Sequence, residues 1–512
     1  MSDHATSLSN QEKCVEDMKT PQVDQTQSNV EGSMFTVNVE RDNLARVDAA
    51  IETIGWGKYQ WQLAFTCSFG FLVDQALLVA ISMVTPSASL EFGPKYATLL
   101  PVAQYAGLLL GAIVLGIVAD NFGRRIVWQT SIFGASIFAM IAASSPSWAV
   151  LNFWVAVTSF FAGGNLAIDL AVLAESIPST WTFMLSGLAC VWGMGNTLAG
   201  MVAWPLLTNL GCPAGSTPET CSKSENMGWR YLYITLGGLC LMLSMVRAFI
   251  LRSKESPRWL MSIGEIDAAV EVLNGISAAN KSDYTASVSD FSASSQTRQH
   301  TKSPRENMKR VANLFKGPKK ARLMVCLMLL WMLVGIAYPL FIVFLPYYLA
   351  ARGAELGNTS TYITYRDVAI SSVVGIFGPF LAMWMVASRL RSRISMCISA
   401  AACIAFAGAF TTVKNEAQNL AFSSFNGFWL NALYAIIYGY TPQVLDVENR
   451  GLGAGMLMAL GRLSSLSAPF IATFADVTSS APIWVACGCY AVIGIVGLLL
   501  PVDTASFQRK AK

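Results

Sequence analysis

Twelve runs of about 20 apolar residues dominate this chain, each the length that crosses a bilayer as a helix rising 1.5 Å per residue. They lie near residues 61–84, 97–119, 126–144, 149–175, 181–210 and 229–251, then near 321–349, 364–388, 394–413, 419–441, 451–474 and 481–501. Lipid offers no hydrogen bonds to an open backbone, so each run must satisfy its own N–H and C=O groups as a helix. The expected fold is an all-α membrane protein with twelve transmembrane helices in two six-helix halves. A polar tail (1–60) precedes the first half (61–251), a linker (252–320) joins it to the second half (321–501), and a short tail (502–512) follows. The linker is rich in Ser, Lys and Arg from Ala278 to Arg310 and cannot bury enough apolar area to fold alone, so part of it is expected to be disordered. Two six-helix halves suggest an ancestral repeat, with the substrate site near the bilayer midplane between them.

Composition removes several other functions. With 54% hydrophobic and 13% charged residues, water is not the main solvent, and a net charge of +4 is too weak and dispersed for nucleic acid. Most of the 11 cysteines sit singly inside apolar runs (Cys67, Cys190, Cys240, Cys403, Cys487) without zinc spacing. The only histidines, His4 and His300, lie in polar segments, and no phosphate loop occurs, so neither an enzyme, a metal, another cofactor nor ATP drive is expected.

Basic residues in short loops are retained on the cytosolic side. Arg124 and Arg125 follow the second run, Arg252, Lys254 and Arg258 the sixth, Arg389, Arg391 and Arg393 the eighth, and Arg509, Lys510 and Lys512 the twelfth. The opposite loops are nearly bare, holding Lys95, Lys223, Arg352 and Lys414. Both termini are therefore expected in the cytosol. No short apolar stretch with a small-residue cleavage site precedes the first run, so no cleaved secretory signal is expected. Trp56, Tyr59 and Trp61 suit an interfacial belt.

Between the second and third runs stands GIVADNFGRR (Gly116 to Arg125), in which Gly123 permits a tight reversal and Asp120, Arg124 and Arg125 place opposite charges at a helix junction. Here the chain resembles the major facilitator superfamily, whose loop between helices 2 and 3 carries this pattern. ESPRWL (Glu255 to Leu260) with GEIDAAVEVLNGIS behind it is similar to the sugar-porter motif and its linker helix, and Glu175 and Pro178 in LAESIPSTW fit the same pattern. IGWGKYQWQL, GGNLAIDLAVLAESIP, NMGWRYLY and YPLFIVFLPYYL resemble the synaptic-vesicle-related branch and its fungal members. The likeness runs from about Val47 to Pro501. It implies a monomeric secondary transporter of a small organic solute, most simply in the plasma membrane, with a vacuolar or vesicle membrane as the alternative. Two departures stand out. The matching loop of the second half reads ASRLRSR, with Ser388 and Arg391 where the first half has Asp120 and Gly123, and the fifth run lacks the Gly-Pro pair of drug–proton antiporters.

A charge near the bilayer centre costs several kcal/mol unless it pairs or meets water, so charged residues inside the runs are functional candidates. Asp74 and Asp169 are the candidate proton-coupling carboxylates, with fixed ion pairs as the alternative. Arg462 is the candidate partner of an anionic substrate, or a gate for the carboxylate. Asn165, Trp192, Asn196, Tyr338, Asn431, Tyr434 and Tyr438 could orient a solute in an apolar pocket, although most aromatics in such a chain serve packing. At the cytosolic face, Asp120, Arg124, Arg125, Glu175, Glu255 and Arg258 of the first half, with Glu448 and Arg450 of the second, form a candidate gate, solvated loop charge being the alternative. Cys212 and Cys221, nine apart in an outer loop, can pair as a disulfide or stay free. Asn358, in Asn-Thr-Ser, is the plausible glycan acceptor, since Asn280 lies in the cytosolic linker. The leading function is proton-coupled transport of a sugar-like or carboxylate-bearing solute by alternating access. The alternatives are efflux of a metabolite or drug-like compound and, from another class, a solute-sensing transceptor.

Overall fold

The computed structural model describes residues 42–122, 124–178, 181, 184–251, 255–292, 311–357, 360–445 and 450–503. The apolar runs form helices α1 (Lys58–Phe92), α2 (Leu100–Phe122), α3 (Arg124–Ala142), α4 (Trp148–Ser176), α5 (Cys190–Asn209) and α6 (Gly228–Met245). The second half repeats them as α7 (Pro318–Ile342), α8 (Thr361–Gly375 with Gly378–Ala387), α9 (Arg391–Phe410), α10 (Glu416–Val444), α11 (Arg450–Ser465 with Ser467–Phe474) and α12 (Ala481–Leu499). Ten of these are long and apolar enough to cross a membrane by length and composition, and α4 and α5 complete the twelve.

The repeat is visible in α4 and α10. Both are 29 residues long and both open on a side-chain cap: the Ser147 hydroxyl accepts from Val150 N–H, and the Asn415 amide oxygen accepts from Gln418 N–H. Within the first half α2 packs on α4 at close range. A methyl at Gly111 would sit 1.8 Å from the Phe160 carbonyl oxygen, and one at Gly107 would sit 2.3 Å from that of Ala156. Small residues four apart let two helix backbones touch where lipid supplies no hydrophobic drive between them. The halves meet along α5 with α8 and along α2 with α11. Two helices are irregular at this junction, α8 breaking after Gly375 and α11 at Leu466, and inside the first half α6 relaxes into a π-helical turn, Val246–Leu251. Such turns free backbone groups and recur at functional sites.

At one end of the bundle Cys212 and Cys221 are paired, their Cα atoms 5.9 Å apart. Beside it Arg230, 3% exposed at its side chain, grips both oxygens of Glu91 at 2.6 and 2.8 Å, and Trp229 donates to the same carboxylate. In the same loop, hydrogen bonds from the Ser222 hydroxyl and N–H hold the exposed Glu225 carboxyl below the ordinary range.

At the other end two polar segments fold against each other. Helix 42–54 places Val47, Ala50 and Ile51 on Met261, Ala269, Val270, Leu273, Ala286 and Phe291 of the linker. The linker helices are Pro257–Ser262 and Ile266–Asn280. Neither segment buries enough apolar area alone, but together they make a small second core.

Candidate substrate and coupling site

The polar residues of α1, α4 and α6 converge inside the first half. The Asn165 amide N–H group reaches Asp74 Oδ2 at 2.8 Å and Asp169 Oδ2 at 2.9 Å. Arg247, on the π-helical turn, donates to Asp169 Oδ1 at 2.7 Å and to Asn165 Oδ1 at 3.3 Å. Its guanidinium lies 3.6 Å over the Trp128 ring, and Trp128 Nε1 donates to Asp169 Oδ1 as well. Gly70 of α1 makes room for the pair, because a methyl there would fall 1.9 Å from Asp169 Oδ2 and 2.6 Å from Arg247. All five polar members of the cluster are buried.

The two carboxylates are unlike. Both oxygens of Asp169 accept hydrogen bonds, and a cation touches one of them. Among the described residues, Asp74 accepts at Oδ2 only, and its buried Oδ1 has no partner. Asp74 Oδ1 is thus a free acceptor, whereas protonating Asp169 would strip the buried Arg247 of its counter-ion.

Next to this cluster, at the junction of the halves, stand the aromatic candidates. Trp192 of α5 meets Tyr438 and Tyr434 of α10 at ring distances of 4.6 and 5.3 Å. Tyr338 of α7 lies 5.1 Å from Tyr434, and Phe71 of α1 backs Trp192 at 5.7 Å. Gln75 of α1 bonds the Tyr338 hydroxyl across the junction at 3.3 Å. Asn196 lies beside the same hydroxyl. Among the described residues, two buried polar atoms in this group, Asn196 Oδ1 and the Tyr438 hydroxyl, have no partner. Asn431 stands apart, donating to the Gly375 carbonyl where α8 breaks.

Arg462 of α11 reaches across to the Leu108 carbonyl of α2 at 3.5 Å. Among the described residues no carboxylate lies within ion-pair distance of it. The half-buried guanidinium thus faces the junction with one long neutral hydrogen bond.

The Major Facilitator Superfamily model matches residues 63–422. The chain belongs to the Major Facilitator Superfamily. It is 34% identical over 479 residues to the major facilitator-type transporter hxnZ of Emericella nidulans, covering 90% of this chain and 86% of that protein. It is 34% identical over 470 residues to the MFS siderochrome iron transporter 1 of Ceriporiopsis subvermispora, covering 89% and 90%. Among solved structures it superposes on the proton:xylose symporter XylE bound to 6-bromo-6-deoxy-D-glucose with a TM-score of 0.65 at 16% identity, covering 87% of this chain and 96% of that one. This major facilitator protein is a multi-pass membrane transporter, as its motifs imply.

Sequence reading selected Asp74 and Asp169 as coupling candidates and Asn165 as a substrate candidate; the structure brings the three together and adds Arg247 and Trp128, which sequence reading missed. Arg247 lies inside the sixth apolar run, and the rule that selected Asp74 would have selected it too. Trp331, 5.8 Å from Tyr438, joins the aromatic group without any local signal. Of the gate candidates, Glu255 accepts from the Arg125 backbone N–H at 3.2 Å, and Arg258 pairs with Asp48 at 2.7 Å, a partner outside the expected set. The side chains of Asp120, Arg124, Glu175 and Arg450 lie outside the described residues, as do Glu448 and Asn358 altogether.

Proposed function

We propose that this transporter moves a small organic carboxylate, coupled to protons through Asp74, by alternating access between its two halves. The observation that carries the reading is Arg462, a cation at the junction of the halves with no carboxylate within ion-pair distance among the described residues. A guanidinium held there is costly unless an anion completes it. A substrate carboxylate supplies that anion in the bidentate geometry a guanidinium favours. The ring faces of Trp192, Tyr434 and Tyr438 suit the flat or apolar body of such a solute. Asn196 Oδ1 and the Tyr438 hydroxyl, both without partners, are open to its polar substituents.

Asp74 is the better coupling residue of the two because its second oxygen is bare, while Asp169 is committed to Arg247. An anion entering with a proton crosses as a neutral pair, which favours uptake down a proton gradient. Arg125, Glu255 and Arg258 belong to a cytosolic gate in this reading, and both termini face the cytosol, most simply at the plasma membrane. The chain acts as a monomer, since both halves of the site come from one polypeptide.

The test is uptake into proteoliposomes of a labelled panel containing aromatic and aliphatic carboxylates, neutral sugars and a ferric siderophore. The reading expects saturable uptake of a carboxylate, stimulated by an outside-acid gradient. Uptake confined to neutral sugars would overturn the substrate class, and uptake indifferent to pH would overturn the coupling.

A further inference from the structure

Residues 42–54 belong to the sequence's polar tail, yet they are tied to the transport bundle by three separate routes. The first is ionic: Asp48 holds Arg258 at 2.7 Å, three residues after Glu255, whose carboxylate accepts from the Arg125 N–H at the junction of α2 and α3. The second is a stitch of side-chain to main-chain bonds to the linker, which is itself anchored on α1. The Asn43 amide exchanges two 2.9 Å hydrogen bonds with the Ser292 main chain, and Arg46 donates to the Asp290 carbonyl at 2.6 Å. The third is aromatic. Trp56, at the end of the segment, stacks on Trp181 at 4.9 Å, and Trp181 leads into Met184–Leu188, which packs on α8 and α10 of the other half. There Gly187 lies so close to Met383 that a methyl would come within 2.8 Å of its sulfur.

The unit is also fixed to the start of α1. Asn280 accepts from the Tyr59 N–H at 2.9 Å and donates to Gln60 Oε1 at 2.7 Å and to the Gly55 carbonyl at 3.3 Å. Ile54, Val272 and Ile276 close the contact. The tail helix, the linker and the first half are therefore joined by one contact network, and Met184–Leu188 beyond Trp181 bears on the second half at Gly187.

We propose that helix 42–54 is a latch: it positions Arg258 and Glu255, and through Trp56 and Trp181 it presses the first half against α8, biasing the bundle toward a closed linker-end mouth. Asp48 and Trp56 are positioning residues, since neither reaches the substrate junction. The inference rests on the alternating-access reading above. At the opposite mouth the halves are joined by the Thr98 and Thr473 hydroxyls at 2.6 Å and by the Tyr365 hydroxyl bonding the Met83 carbonyl at 3.1 Å. That second contact supplies an independent control.

The experiment is electron–electron distance measurement on the full chain in nanodiscs, with spin labels at Ile126→Cys and Ile394→Cys, exposed positions near the linker end of α3 and α9. Asp48→Ala is expected to raise the long-distance population about two- to fivefold, the scale of one partly exposed ion pair. The exchanged pair Asp48→Arg with Arg258→Asp should return it toward the parent value, and Trp56→Ala should raise it as Asp48→Ala does. Thr98→Val, which loosens the opposite mouth, should lower it. If Thr98→Val moves the distribution while Asp48→Ala and Trp56→Ala leave it unchanged, the latch is wrong and the cycle stands. If none of the variants moves it, alternating access between these halves is itself refuted. A loss of thermal stability in Asp48→Ala without a change in the distance populations would mark a merely structural contact and would overturn the proposal.

Discussion

Replacing Asp169 by Asn should cripple the fold of the first half while leaving the coupling question untouched. In the parent, Asp169 is fully buried and its Oδ1 meets the Arg247 guanidinium at 2.7 Å, with Arg247 itself 2% exposed. Asn keeps the shape but removes the charge, so Arg247 is left buried and uncompensated above the Trp128 ring. Breaking a buried pair from one side costs about 3–5 kcal/mol. If the first half melts as one unit, that corresponds to a fall of roughly 6–20 °C in apparent melting temperature. The assay is thermal unfolding of detergent-solubilised protein, followed by the recovery of monodisperse material. Removing both charges with Asp169→Asn and Arg247→Gln should restore most of the loss, because the penalty lies in the stranded cation rather than in the missing attraction. Gly70→Ala should imitate the single variant, since its methyl would occupy the space of Asp169 Oδ2. Asp74→Asn should cost far less, as its amide oxygen can still accept from Asn165 and no ion pair is broken. The division of labour between the two carboxylates is refuted if Asp169→Asn melts with the parent while Asp74→Asn collapses.

Arg462→Ala should reduce apparent affinity for a carboxylate substrate at least tenfold, the scale of about 1.5–3 kcal/mol for a hydrogen bond to a charged group, with little change in melting temperature; equal loss for neutral and anionic solutes in a competition assay would contradict this. Cys212→Ser with Cys221→Ser should lower stability by about 2–4 kcal/mol and expose the loop between α5 and α6 to protease, an effect that reducing agent should reproduce in the parent. Gly111→Ala should abolish recovery of folded protein, because the added methyl would overlap the Phe160 carbonyl and push α2 off α4; normal size-exclusion behaviour of this variant would show the helices packed differently.

The architecture was legible because a bilayer leaves so few solutions: an apolar run of the right length must be a helix, and twelve of them with basic residues at alternate junctions suggest two bundles. The expected run at 61–84 became the 35-residue helix Lys58–Phe92, because Gln60 bonds the Gly57 N–H at its start and Gly93, at φ 55°, stops it well past the bilayer's thickness. Asp74 and Asp169 could be selected from sequence because charge inside an apolar run is conspicuous. Their different partners could not, since Arg247 and Trp128 come from other helices. The pairing of helix 42–54 with the linker was hidden for the same reason. Each segment looks too polar to fold when judged alone, and its partner lies some 200 residues away. Asp48 carried no local sign that it would take Arg258 from the expected gate.

The central claim is that protons enter the cycle through Asp74. Its most direct test compares the parent with Asp74→Asn in proteoliposomes, measuring pH-driven accumulation of a transported carboxylate alongside exchange of that solute at equal pH. The account predicts that Asp74→Asn loses uphill accumulation yet keeps exchange, which requires no net proton movement. Normal accumulation in Asp74→Asn would contradict it.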